Sequence, residues 1–246
     1  MKILSTIIFC LLTAFAWAQQ NQGTLVYEFK ANLHRQLPPD NQDMKAMLPE
    51  FRTSRFQLLF TPQASLYKAI EEEEDDEDTH QGGGMRIRIN AGNDEIYRDL
   101  TNRRRIEKRE FMGQEYQIDD TLKTAPWKLS AERKTVMGFD CMKATWSDTT
   151  NKREIVAWFA PTIPVPSGPD IYTSLPGLVL EVDINNGETV IRAQTAEWKQ
   201  PSEKALKAPK APKDGKTVTA EEFRNIVDEQ MKKMGGGRGG MRIIRN

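Results

Sequence analysis

Leu178-Val179-Leu180-Glu181-Val182-Asp183-Ile184 runs straight into Asn185-Asn186-Gly187 and then Glu188-Thr189-Val190-Ile191. Leu178, Leu180, Val182 and Ile184 occupy every second position, the period at which a strand turns one face to a core. Asn and Gly tolerate the positive φ of a tight turn, so the chain is expected to reverse at 185–187 and return along 188–196 as a hairpin.

The same texture recurs upstream. Segments 95–100, 104–111, 115–118, 134–137, 142–146 and 155–159 return at intervals of about eight to twelve residues, the rhythm of antiparallel sheets. Parallel crossovers would need longer helical connections. Segment 24–30, in which Leu25, Tyr27 and Phe29 alternate with other residues, and segments 56–60 and 65–70 read as further strands. Residues 38–49 predict a short helix with Met44, Met47 and Leu48 as its apolar stripe. The expected fold class is mainly β: an antiparallel curved sheet, open barrel or half-barrel over residues 19–200, with a tethered C-terminal helix.

Two regions break the pattern. Residues 71–78 are an unbroken acidic run, followed by His80 and a triple glycine, so 71–84 reads as a solvated insertion between strands. Residues 201–218, rich in Lys, Ala and Pro, read as an extended linker. Thr219-Ala220-Glu221-Glu222 is a capping box opening an amphipathic helix over 219–234, with Phe223 and Val227 at helical spacing. That helix can dock on its own sheet, bind a partner or stay loose. A Gly/Arg tail, 235–246, ends the chain, and its Gly239-Gly240-Met241-Arg242-Ile243 echoes Gly83-Gly84-Met85-Arg86-Ile87. Either low-complexity coincidence or a pair of extended arms, the latter able to add to a sheet edge, accounts for the echo.

The chain has 246 residues, with 35 Lys plus Arg against 35 Asp plus Glu, and two Cys. This balance excludes a polytopic membrane protein, a disulfide scaffold and a strongly basic polyanion binder. Met1-Lys2, an apolar run to Phe15 and Ala16-Trp17-Ala18 have the form of a secretory signal over 1–18, cleaved between Ala18 and Gln19. The expected location is therefore exported, in the periplasm or at the outer membrane, with no transmembrane segment after signal removal. Cys10 does not follow a lipobox, since Ile7-Ile8-Phe9 precede it. The mature chain keeps Cys141 alone, expected as a buried small hydrophobe.

A set of motifs then follows in order: Trp127-Lys128-Leu129; Gly138-Phe139-Asp140-Cys141-Met142-Lys143-Ala144-Thr145; Ala157-Trp158-Phe159-Ala160-Pro161-Thr162-Ile163-Pro164; Ser167-Gly168-Pro169; and Ser174-Leu175-Pro176-Gly177-Leu178-Val179. This order closely resembles the GLPGLI family of secreted proteins of Bacteroidetes-type bacteria, over roughly residues 23–198, with Ser174 in place of the first Gly and Val179 in place of the last Ile. The resemblance implies a place in the cell envelope and a frequent association with TonB-dependent transporters. It brings no catalytic set. On physical grounds Pro176 and Gly177 suit a type II turn, with Leu175 and Leu178 burying on either side. Gly168, Pro169, Leu175, Pro176, Gly177 and Leu178 are thus candidates for a structural turn or for a rim where a partner docks. Trp127, Trp146 and Trp158 read as core filling or as ligand-stacking surfaces.

No chemical constellation emerges beside them. The acidic run with His80 lacks the spaced oxygens and sharp Gly turn of a calcium loop. There is no Gly-x-Ser-x-Gly elbow, no His-Glu-x-x-His helix and no phosphate-cradling loop. A nucleophilic Cys141 would need a base, and the chain's two histidines are His34 and His80. No catalytic, cofactor-binding or metal residue is assigned, and no nucleic-acid partner is expected. The expected function is a non-catalytic exported envelope protein that binds another protein, an accessory of a TonB-dependent transporter system. The alternatives are a periplasmic carrier of a lipid or other apolar ligand and an unrecognised hydrolase.

Overall fold

The computed structural model describes residues 21–37, 42–70, 94–213 and 215–233. The signal segment, the acidic insertion and the Gly/Arg tail lie outside them. One sheet contains β1 (Gly23–Asn32), β2 (Phe51–Phe60), β3 (Ala64–Ala69), β4 (Glu95–Asp99), β5 (Arg104–Phe111), β6 (Gln114–Thr121), β7 (Lys128–Val136), β8 (Phe139–Asp148), β9 (Arg153–Ala160), β10 (Leu178–Ile184), β11 (Thr189–Glu197) and β12 (Lys216–Val218). The spatial order is β12-β6-β5-β4-β3-β2-β1-β11-β10-β9-β8-β7. Every pairing is antiparallel except β12 with β6, so the mainly β, antiparallel expectation is met. The hairpin of β10 and β11 turns at Asn185, Asn186 and Gly187, with φ of 53°, 52° and 85°. Asp183 accepts a hydrogen bond from the Gly187 N–H at 2.6 Å, fixing that turn.

The sheet is open but strongly curled. Laid flat, β2 and β8 would stand five strand spacings apart, about 24 Å. Instead the Trp198 ring touches both, at 6.2 Å from Phe60 and 5.5 Å from Phe139. Curling gathers Leu25, Tyr27, Phe56, Leu58, Ala157, Phe159, Leu180 and Val182 on one inner face. The connection between β9 and β10, residues 161–177, crosses that face as a strap.

Among the described residues three helices accompany the sheet: α1 (Leu33–Gln36), α2 (Gln42–Met47) and α3 (Ala220–Lys233). The expected Met stripe is not a buried one, since Met44 and Met47 are 38% and 76% exposed. The β1–β2 ladder already closes at Asn32 opposite Phe51, so α2 lies in the connection beyond the ladder, and none of its residues is buried. α3 does dock. Thr219 Oγ1 accepts from the Glu222 N–H at 3.2 Å, and the Glu222 carboxylate accepts from the Thr219 N–H at 2.7 Å, completing the capping box. Phe223 then packs edge-on against Tyr116 and Phe111. The linker is partly a strand: Lys216, Thr217 and Val218 form β12, and Gln117 Nε2 donates to Pro209 O at 3.0 Å.

Candidate functional site

Over residues 163–167 the strap alternates inward residues with outward prolines. Ile163, Val165 and Ser167 are buried, while Pro164 and Pro166 between them are exposed. The Val165 N–H donates to Ile163 O and the Ser167 N–H to Val165 O, both at 2.7 Å, and the Gly177 N–H donates to Leu175 O at 2.8 Å. Each bond spans a single proline. A three-residue inverse turn needs a central φ near −75°, and the pyrrolidine ring supplies it. The type II turn expected at Pro176-Gly177 is therefore replaced by a tighter one, and Gly177 has φ 159° rather than the value near +80° of that turn.

Glycine is still required there, for space. A Cβ on Gly177 would lie 2.3 Å from Ala160 O, and one on Gly168 would lie 2.3 Å from Tyr172 O. Leu175 and Leu178 are fully buried, as are Gly168 and Pro169, whereas Pro176 is exposed. Of the motif residues, then, Pro176 presents itself outward and the others clasp the strap to the sheet. The clasp is hydrogen-bonded along its length: the Leu178 N–H to Ile163 O and the Val179 N–H to Ser167 O, each at 3.0 Å. The Tyr27 hydroxyl reaches across to Val179 O at 2.6 Å. Trp127 Nε1 donates to Thr173 O at 2.8 Å, and Trp127, Trp146 and Tyr172 stack edge to face beside it. Ser174, where the resembled family carries Gly, adopts φ 70° and so occupies the left-handed region that glycine favours.

The opposite face of the sheet carries a different group. Alternation that buries Ala157 and Phe159 turns Trp158 outward, and the same rule puts Glu181 outward between Leu180 and Val182. Trp158 and Glu181 are direct cross-strand partners, as are Trp158 and Lys143. Lys134 Nζ and Arg192 Nε donate to the two Glu181 oxygens at 2.6 and 2.7 Å. Lys134 Nζ also lies 5.3 Å from the Trp158 ring centroid. Burial opposes the Glu181 charge, but the bonds from Arg192 and Lys134 outweigh it and hold the carboxyl below the usual glutamate range. Sequence reading named Trp158 but passed over Glu181; an acid inside the apolar run Leu178–Ile184 was the available signal.

Cys141 is buried, and its thiol is pushed up to about 11 by desolvation, with Asp140 and Glu181 adding to the rise. A thiol so placed is a poor nucleophile at neutral pH. His34 Nε2 lies 2.9 Å from Leu48 O, at the β1–β2 connection. Among the described residues no group of three or more His, Cys, Asp and Glu is gathered to hold a metal ion.

A family model described as a protein of unknown function (Porph_ging) matches residues 146–181, the span that contains the strap, Trp158 and Glu181. No curated protein sequence matches the chain. Structures of PNGF-II in the P21 and C2 space groups are similar in fold, each with a TM-score of 0.55, at 14% and 13% identity. Both likenesses cover 85% of this chain and 33% of the PNGF-II chain. This chain thus spans about a third of the length of the structures it resembles, and shares with them a fold over nearly all of its own length.

Proposed function

We propose that this chain is a non-catalytic exported envelope protein that binds another protein through the open face of its sheet, as an accessory of a TonB-dependent transporter system of the kind the GLPGLI resemblance implies. One observation carries the reading. Trp158 lies half-buried on the face the strap leaves open, with the Lys134 cation over its ring and Arg192, 49% exposed, beside it. Trp and Arg in a part-desolvated patch are the residue types that dominate interface energies. The presence of the same fold within a chain about three times as long supports its use as a module.

The carrier alternative would place an apolar ligand on the inner face. Ile163, Val165, Tyr172 and Leu175 already fill that face, each 0–2% exposed. A hydrolase would want an activated nucleophile, and burial drives the Cys141 thiol the other way. The test is affinity purification of the tagged chain from its native envelope, with mass spectrometry for co-purifying proteins and lipids. The expected result is a protein partner whose affinity drops about 30-fold in Trp158→Ala, the equivalent of about 2 kcal/mol. Bound lipid without a protein, or equal recovery with the variant, would overturn the reading.

A further inference from the structure

On the inner face, Ser65, Arg98, Arg105 and Asp120 stand in one cross-strand row over β3, β4, β5 and β6. Arg98 is 1% exposed and Ser65 0%. Two guanidinium groups in direct register repel, and water is excluded from Arg98, while Arg105 keeps 20% of its side chain exposed. Glu107, 2% exposed, lies beside them, but its carboxylate is taken by Arg105 Nη2 and by Arg109 Nε at 2.8 Å. Asp170, on the strap, contributes a field that favours the charge on both Arg98 and Arg105.

Neither Nη1 nor Nη2 of Arg98 has a hydrogen-bond partner among the described residues. The same holds for Arg105 Nε, Ser65 Oγ and, on the strap above, Ser167 Oγ, whose residue is 0% exposed. A buried guanidinium without bonds is among the most costly arrangements a fold can contain. Its planar fork matches a carboxylate or phosphate oxygen pair. Ser65 Oγ and Arg105 Nε, the neighbours of Arg98 in the row, can donate to an anion, whereas the buried Asp170 carboxylate on the strap is an acceptor that offsets part of the guanidinium charge.

We infer that the Arg98 row is a buried binding site for a small oxyanion of the carboxylate or phosphate class, held by Arg98 Nη1 and Nη2 with the Ser65 hydroxyl, its cross-strand neighbour, as a further donor. Asp170, whose field reaches Arg98, belongs to the strap, so the site is enclosed only when the strap is seated, and the ion is taken in as the strap docks during folding. Ordered water, which would also satisfy the Arg98 donors, is the rival occupant.

The test refolds the full chain from denaturant in graded phosphate, acetate or chloride at constant ionic strength, and follows the unfolding equilibrium. Above saturation the unfolding constant should fall about tenfold for each tenfold rise in the free concentration of the oxyanion that binds. The phosphate and acetate arms identify which oxyanion the site takes, and chloride should produce no such fall. Arg98→Met should abolish the dependence and, in the absence of oxyanion, fold at least as stably as the parent, because two buried donors without hydrogen bonds are gone. Ser65→Ala provides the same reading if the Arg98 variant fails to fold: its dependence should weaken several-fold. Crystals grown after refolding in selenate should show anomalous density within hydrogen-bond distance of Arg98. An equal response to all three anions, a response that survives Arg98→Met, no response at all, or water alone beside Arg98 would overturn the inference.

Discussion

Around Tyr27 and Leu178 the sheet is closed by its own chain, with aromatic and branched side chains from β1, β2, β9, β10 and the strap interlocked in one core. Around Tyr116 the same sheet is closed by a helix, and that cluster comprises Tyr116, Ile118 and Phe223 with half-buried neighbours. The strap is fixed by proline-centred turns and glycines that admit no Cβ. α3 is fixed by one aromatic residue, a capping box and the three-residue strand β12. Hydrophobic stabilisation scales with apolar area removed from water, so the first region should set the global stability and the second should open on its own.

The largest effect should come from the strap. Leu175→Ala, which empties a site 1% exposed, is expected to cost about 2–5 kcal/mol of global stability in urea unfolding. A cost below about 1 kcal/mol would mean the strap is not part of the cooperative core. Phe223→Ala should act locally: amides of 220–233 should lose protection, at a cost of about 3 kcal/mol to helix docking, while the main unfolding midpoint stays near that of the parent. A matching fall in the global midpoint would merge the two regions into one unit.

On the open face, Glu181→Gln keeps the shape and removes the charge. It should cost about 1–2 kcal/mol at neutral pH, less than a fully buried pair because Arg192 and Lys134 are part-exposed. The sign of the pH effect follows from the depressed carboxyl. The stabilisation is complete above the ordinary glutamate pKa of about 4.3 and is lost as pH falls below it toward the folded-state value. Parent and variant should therefore converge in stability under acid, as checked by chemical unfolding between neutral pH and pH 3. The smallest effect is a gain: Ser174→Gly should stabilise the chain by about 1 kcal/mol by relieving a left-handed serine.

Strands were legible wherever alternation met turn residues, and the Asn185-Asn186-Gly187 hairpin and the Thr219 capping box formed at their expected positions. What stayed hidden depended on long-range approach. Pro176-Gly177 announced a turn, but its type was decided by Ala160 O lying against Gly177, nearly twenty residues earlier in the chain. Lys216-Thr217-Val218 carried no strand signal strong enough to stand out from a Lys/Pro tether, because a three-residue strand borrows its order from β6. Arg98 sits in Glu95–Asp99, a short polar strand with no local sign of a buried charge; the strap overhead and Arg105 alongside reveal the buried cation.

Native-state hydrogen exchange on the full chain tests the clasp most directly. The amides of Gly177, Leu178 and Val179, bonded to Leu175, Ile163 and Ser167, should exchange only through global unfolding, tracking its dependence on denaturant. The amides of α3 should exchange through a smaller opening with a weaker dependence. Strap amides that exchange as readily as those of α3 would show that residues 161–177 open independently, and would contradict their role as the closure of the sheet.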